Sequence, residues 1–401
     1  MKIAILTSGI LPVPAVEGGA VENLVDSYLD YNDRVLHHDI TVYSIAPHDA
    51  QSDVSLSQSV ALSSACNHYR FIPTHTLTAR LRKLMQRVFC RKRYYHPAIE
   101  YYLGEALRHI ARSHYDLIVL ENRPGYALRL SEVSDARIAI HLHNDTLNYD
   151  SPLSRDIYER AWRILTVSDY IARRVGTIVH RDRKSVVVHN GIDLDLFSAA
   201  SATDVDRASL GFSPDDFVLV YSGRLTREKG IRELIEAMQL LPDPRIKLLV
   251  IGGSFFGNAT SDDPFTANLK RLALPMADRI VFTGFQPYRR MSSYLRLADV
   301  AVIPSVWDDP FPTTVLEAMA AGLPVLATHS GGIPEEVDEE CARLIFRSGD
   351  TLARDIATEV ERLRLSPALR KRMAEASLRR SRQFSREAYS AAFFHALEEP
   401  A

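Results

Sequence analysis

Two stretches in the second half of the chain carry side chains that could handle a diphosphate. In YSGRLTREKGI, Arg224 and Lys229 follow the apolar run Val218–Tyr221, with Gly223 and Gly230 beside them. Two cations just past a strand end suit the two phosphates of such a ligand, and glycine lets the backbone approach it. A solvated basic loop is the competing reading, since Lys and Arg mostly sit at the surface. In WDDPFPTTVLEAMAAGLPVLATHSGGIPEEV, residues 307–337, the spacing predicts a helix starting near Thr314 behind Pro312 and Thr313. Gly322 and Pro324 stop it, a short strand follows over 325–327, and the Gly331-Gly332 loop comes next. The unpaired amides of a helix start attract anions. Yet Asp309 lies just outside this helix and Glu317 within its first turns, so acid beside an anion site needs a reason. Thr314-Val315-Leu316-Glu317 also fits a T-x-x-E capping box, in which Glu317 would only bond back to the helix start.

Other candidates are weaker taken singly. Gly18-Gly19 follows the first apolar run and precedes a helical pattern, which fits either close approach to a ligand or a plain tight turn. No GxGxxG follows that run and no GxxxxGK[ST] occurs, so dinucleotide and P-loop readings lose their support. Asp193-Leu194-Asp195 matches a metal-holding DxD pattern, but a turn or helix-cap role is favoured at that position. His143 follows the run Ile138–His141 and by itself reads as a histidine bonded beside a strand end. ARLRKLMQRVFCRKR, residues 79–93, places Arg80, Arg82, Lys83, Arg87, Arg91, Lys92 and Arg93 around an apolar stripe at helical spacing. Such a segment could lie on an anionic leaflet, hold an anionic lipid-linked acceptor, or be an ordinary surface helix.

The elements that must position these residues follow an α/β rhythm. Short apolar runs recur at 2–6, 40–43, 117–120, 138–141, 164–167 and 186–189 with helical stretches between them. After a polar stretch the rhythm restarts at 218–221, 247–251, 280–283, 300–304 and 325–327. At 401 residues two domains are the natural expectation. Two Rossmann-like domains follow, 1–195 and 196–384, with the linker between Asp195 and Leu210 and a last helix, 385–401, whose stripe of Tyr389, Phe393, Phe394 and Leu397 needs an apolar partner. The net charge of -2 gives no general reason to expect nucleic acid. Three scattered cysteines argue against a disulfide framework or zinc cluster and for the cytoplasm. No apolar stretch approaches the ~20 residues of a membrane span.

Gly18-Gly19, VVHNGIDLDLF, SGRLTREKG, VFTGF, ADVAVIPS and DPFPTTVLEAMAAGLPVLATHSGGIPE, in this order, resemble the retaining GT-B glycosyltransferases of family four. GGAVENL and IHLHND narrow the likeness to bacterial enzymes of lipopolysaccharide core, capsule or exopolysaccharide synthesis. The resemblance implies two domains facing across a cleft, the first for acceptor and the second for a nucleotide-sugar donor, with the last helix crossing back to the first domain. It implies a metal-independent hexosyl- or N-acetylhexosaminyltransferase without cofactor, using a donor that is most commonly a UDP-sugar, and a glycan or lipid-linked acceptor. Arg224 and Lys229 match its diphosphate-binding pair, Gly19 its close-approach glycine, Glu317 its ribose-binding acid and His143 a histidine near the transferred sugar. Asp309 stands where the family has a glutamate that contacts the donor sugar, and Pro312 replaces the usual glycine. Gly18, Gly223, Phe285, Phe311 and the Thr313, Thr314 and Val315 amides complete the implied donor site. An epimerase acting on a sugar nucleotide, or a binding protein on the same fold, are the alternatives. The location implied is cytoplasmic, on the inner face of the membrane if residues 79–93 dock there.

Overall fold

The computed structural model describes residues 1–47, 64–74, 94–198, 205–253, 263–347 and 349–399. The basic segment with Arg80, Arg82, Lys83, Arg87, Arg91, Lys92 and Arg93 lies outside them, as does part of the expected linker. The chain divides into two compact units, Met1–Asn190 with Glu387–Ala401, and Gly191–Arg386. The boundaries therefore fall at Asn190 and Arg386 rather than at Asp195 and Phe384. The reason is local: the segment after Asn190 pairs with the second unit, where the Ile192 amide donates to the Phe384 carbonyl and the Arg386 amide to the Ile192 carbonyl.

The first unit holds a seven-stranded sheet made of β1 (Lys2–Leu6), β2 (Asp39–Ile45), β3 (Asn67–Ile72), β4 (Leu117–Glu121), β5 (Arg137–Leu142), β6 (Arg163–Thr166) and β7 (Ser185–Val187). Their order is β3-β2-β1-β4-β5-β6-β7 and every pair is parallel. The second unit repeats the plan with β8 (Phe217–Ser222), β9 (Ile246–Ile251), β10 (Ile280–Gly284), β11 (Val300–Ile303), β12 (Val325–Thr328) and β13 (Ala342–Ile345), in the order β10-β9-β8-β11-β12-β13. In each sheet the order reverses once, between β1 and β4 and between β8 and β11. Outside the carboxyl ends of strands at such a reversal is where ligands of open α/β sheets bind.

The central strands are continuous apolar runs because helices cover both faces. The edge strands β3 and β13 are absent from the sequence reading, since NHYRFI and ARLI are partly exposed and mix charge with apolar residues. The last helix, Arg386–Glu398, belongs to the first unit: Tyr389, Phe393, Phe394 and Leu397 are buried in its core. The Phe393 ring stacks on Tyr28 at 4.1 Å between centroids.

Candidate active site

In the second unit three loops meet at the reversal point, those following β8, β11 and β12. The Val306 amide donates to the Glu228 carbonyl at 2.9 Å, joining the first two, and the Gly332 amide donates to the Asp309 carbonyl at 2.8 Å, joining the last two. Gly230, with φ 70°, has the Pro304 carbonyl oxygen 1.8 Å from where a Cβ would stand, so only glycine permits this approach. The junction carries the predicted cations. Lys229 Nζ donates to Asp309 Oδ2 at 2.5 Å, and the Ser305 hydroxyl donates to the same oxygen at 3.1 Å. Asp309 is 4% exposed, so in this state it holds Lys229 as a buried partner. The acid beside the expected anion site thus has a structural partner, the Lys229 ammonium. Arg224 is exposed, and its carbonyl accepts the Tyr221 hydroxyl. Burial would raise the Glu228 carboxyl, but its own amide, the Thr226 hydroxyl, Arg224 and Lys229 hold it below its ordinary value.

The helix in this junction runs over Thr313–Ala320 with Pro312 as its cap residue. Glu317 is thus five positions past the cap instead of three, and the capping box is not formed. Burial pushes Glu317 up to about 7, against a smaller lowering by the Thr313 side chain. Burial, then the nearby charge of Glu317, pushes the Tyr288 hydroxyl well above its ordinary value. Two expectations change here. The Val315 amide donates to the Pro312 carbonyl at 3.0 Å, leaving Thr313 and Thr314 as the amides that open the helix. Phe311 is buried edge-on against Phe384, centroids 5.8 Å apart, and so packs the interior of the unit. Phe285 is half-buried beyond β10, on the outer strand of this half-sheet, and Gly223 follows β8 with φ 145°. Glu336, on the short helix after Gly332, is fully buried with both carboxylate oxygens unpartnered, and burial holds it well above the carboxylate range. Asp193 Oδ1 accepts the Asp195 and Leu196 amides and Oδ2 pairs with Arg386 at 3.1 Å, so this acid caps a helix.

In the first unit the reversal point lies between β1 and β4. Gly18 and Gly19, with φ 80° and 108°, lead into the helix Ala20–Tyr31. A Cβ on Gly19 would stand 2.1 Å from Glu22 Oε2 and 2.8 Å from Leu11, so the room this glycine leaves is taken by Glu22. The Ser8 hydroxyl donates to Glu22, and burial pushes that acid up to about 7. At the end of β4, Glu121 is wholly buried and accepts from Tyr28 Oη at 2.9 Å, His141 Nδ1 at 3.2 Å and His143 Nε2 at 2.9 Å. Burial would raise Glu121, but His141 and His143 outweigh it and keep the carboxyl below the usual carboxylate range. Burial, then the neighbouring His141, lowers His143 to about 4. Among the described residues Glu121, His141 and His143 are also the side chains whose ligand atoms converge closely enough to hold a cation. Glu121, Tyr28 and Glu22 were not identified as candidates from the sequence. The available signals were the acid ending an apolar run in LIVLEN and the H-x-H spacing, which puts both histidines on one face of a strand.

Two Rossmann-like units with parallel sheets are the plan of the GT-B glycosyltransferases, whose solved members share this fold. Residues 202–380 match the family of glycosyl transferases group 1, and residues 37–196 match glycosyltransferase family 4. The chain belongs to this GT-B, family-four group of glycosyltransferases. It is 29% identical over 364 residues to YtcC of Bacillus subtilis (strain 168), covering 87% of this chain and 80% of that protein. It is 28% identical over 355 residues to spore coat protein SA of the same organism, 84% of each being covered. Anabaena HepE, solved with UDP and glucose, shares the fold with a TM-score of 0.73 at 19% identity over 99% of both chains. WaaG, a glycosyltransferase involved in lipopolysaccharide biosynthesis, shares it at 0.67 and 15% identity over 98% of both.

Proposed function

We propose that the protein transfers a sugar, with retained anomeric configuration and without metal, from a UDP-sugar to a growing bacterial surface glycan or lipid-linked acceptor on the cytoplasmic side. The observation that carries the donor half is the loop junction of the second unit: Lys229 and Arg224 beyond β8, the Thr313 and Thr314 amides, and the buried Glu317, all at one reversal of strand order. Breaking the bond between the anomeric carbon and the phosphate oxygen leaves negative charge on the diphosphate, which fixed cations and helix amides stabilise. The acceptor oxygen then bonds that carbon on the same face, and its proton passes to the leaving phosphate oxygen. Glu317 accepts hydrogen bonds from the ribose hydroxyls. For this role Lys229 must exchange Asp309 for phosphate, which frees Asp309 to face the donor sugar. UDP is the first nucleotide to try because HepE was solved with UDP and UDP-glucose.

A thermal-shift panel of UDP-, GDP-, ADP- and TDP-sugars tests the reading: a UDP-sugar should raise the melting temperature most. No stabilisation by any of them would remove the donor site. Attachment to the membrane rests on the charge of residues 79–93. Replacing Arg87, Arg91, Lys92 and Arg93 by glutamine should weaken anionic-vesicle binding by roughly 1 kcal/mol per residue. Unchanged binding would leave those residues a packing role.

A further inference from the structure

We propose that Glu121 is a positioning residue that fixes which nitrogen of His143 carries the proton, so that His143 meets a bound sugar as a hydrogen-bond acceptor. The inference deepens the proposed transfer and rests on it for the identity of the ligand. Its basis is the arrangement at the carboxyl end of β4. One carboxylate, 0% exposed, faces three groups at once: the Tyr28 hydroxyl, His141 Nδ1 and His143 Nε2. A carboxylate only accepts, so each nitrogen facing it must be a donor. Neutral His143 is then the Nε2–H tautomer with a lone pair on Nδ1, and neutral His141 is the Nδ1–H tautomer with a lone pair on Nε2. Both outward nitrogens, His143 Nδ1 and His141 Nε2, are buried without a partner. The two rings are 4.1 Å apart, so charging both would set like charges against each other in a low-dielectric site.

The backbone supports the same orientation. The His143 amide donates to Asn122 Oδ1, and the Asn122 amide donates to the His141 carbonyl at 2.8 Å. Asn122 itself takes φ 55°, a left-handed conformation that turns the chain immediately after Glu121. Tyr28, stacked on Phe393, holds the far oxygen of the carboxylate. An unpartnered buried acceptor costs free energy until something donates to it. A hydroxyl of the transferred sugar, beside which the family likeness places His143, supplies that donor.

Proton-detected nitrogen NMR on histidine-labelled full-length protein at pH 8 reads the tautomers without any substrate. His143 should show the Nε2–H form and His141 the Nδ1–H form. A Nδ1–H form at His143, a doubly protonated ring, or nitrogens shifted by a bound metal with stoichiometric metal by elemental analysis, would each overturn the inference. In Glu121→Leu neither ring keeps an acceptor on this side, so the single His143 tautomer should be lost and kcat should fall tenfold or more at little changed donor KM. Tyr28→Phe removes one donor and should keep the tautomer. A fixed tautomer or unaltered kcat in a folded Glu121→Leu protein would also overturn the positioning role. Because the tautomer measurement uses no donor, its failure is separate from a failure of the protein to transfer sugar.

Discussion

The polar residues at the two reversal points are satisfied in different ways. In the first unit Glu121 is surrounded by donors from its own sheet and from the helix Ala20–Tyr31, so the cluster is internally complete on the carboxylate side. In the second unit Lys229 is held by Asp309, while Glu317 is buried and pushed up to about 7. The first arrangement fixes its groups by several hydrogen bonds; the second holds its charges in an ion pair. On the proposed reading, the nucleotide end of the reaction would depend on exchangeable ion pairs and the sugar end on fixed hydrogen bonds.

The largest effects should come from the cations. Arg224→Ala and Lys229→Ala should each cost roughly 2–4 kcal/mol in kcat/KM, the effect of removing a preorganised charge partner. Their stabilities should differ. Arg224 is exposed, so its loss should leave melting nearly unchanged, whereas losing Lys229 strands the buried Asp309 carboxylate and should destabilise by roughly 2–3 kcal/mol. Adding Asp309→Asn to Lys229→Ala should recover most of that stability without recovering turnover. Equal melting of the two single variants would break the contrast between the regions.

Glu22 gives a somewhat smaller and pH-dependent effect. Its carboxyl is raised to about 7 when folded, so between pH 4.5 and 7 the native state holds a proton that the unfolded chain has released. Stability then falls as pH rises through that window, and above it the buried charge is carried in full. Glu22→Gln should therefore raise stability at pH 8 by up to about 3 kcal/mol and change it little at pH 4. Denaturant unfolding at both values checks this. A loss at pH 8 would mean that the charged form is the one this loop is built for. The smallest expected effect is that of a chelator, since fixed cations supply the charge compensation: turnover should survive EDTA. Loss restored by magnesium or manganese would move attention to carboxylates or to Glu121, His141 and His143 as metal ligands.

Much of the fold was legible because the central strands are buried on both faces and read as unbroken apolar runs. β3 and β13 were not, because NHYRFI and ARLI are partly exposed and mix charge with apolar residues. The site was legible where types and position coincide, as for Lys229 just past β8. It was not where function depends on pairing across the fold. Nothing local marks Tyr28 as a partner of Glu121, 93 positions away, or Asp309 as the partner of Lys229, 80 positions away. The capping box in residues 314–317 was a local pattern overruled by Pro312, which fixed the helix start earlier and placed Glu317 deeper in the helix.

The claim that the second unit binds the donor through Glu317 is tested most directly by calorimetry of Glu317→Gln with whichever nucleotide stabilises the protein most. Glutamine offers one acceptor oxygen where two ribose hydroxyls need partners, so binding should weaken by roughly 1.5–3 kcal/mol. Because Glu317 is a buried acid raised to about 7, the same change should leave the melting temperature at pH 8 equal or higher. A variant that melts early but binds the nucleotide with unchanged affinity would make Glu317 a structural residue and contradict the donor site.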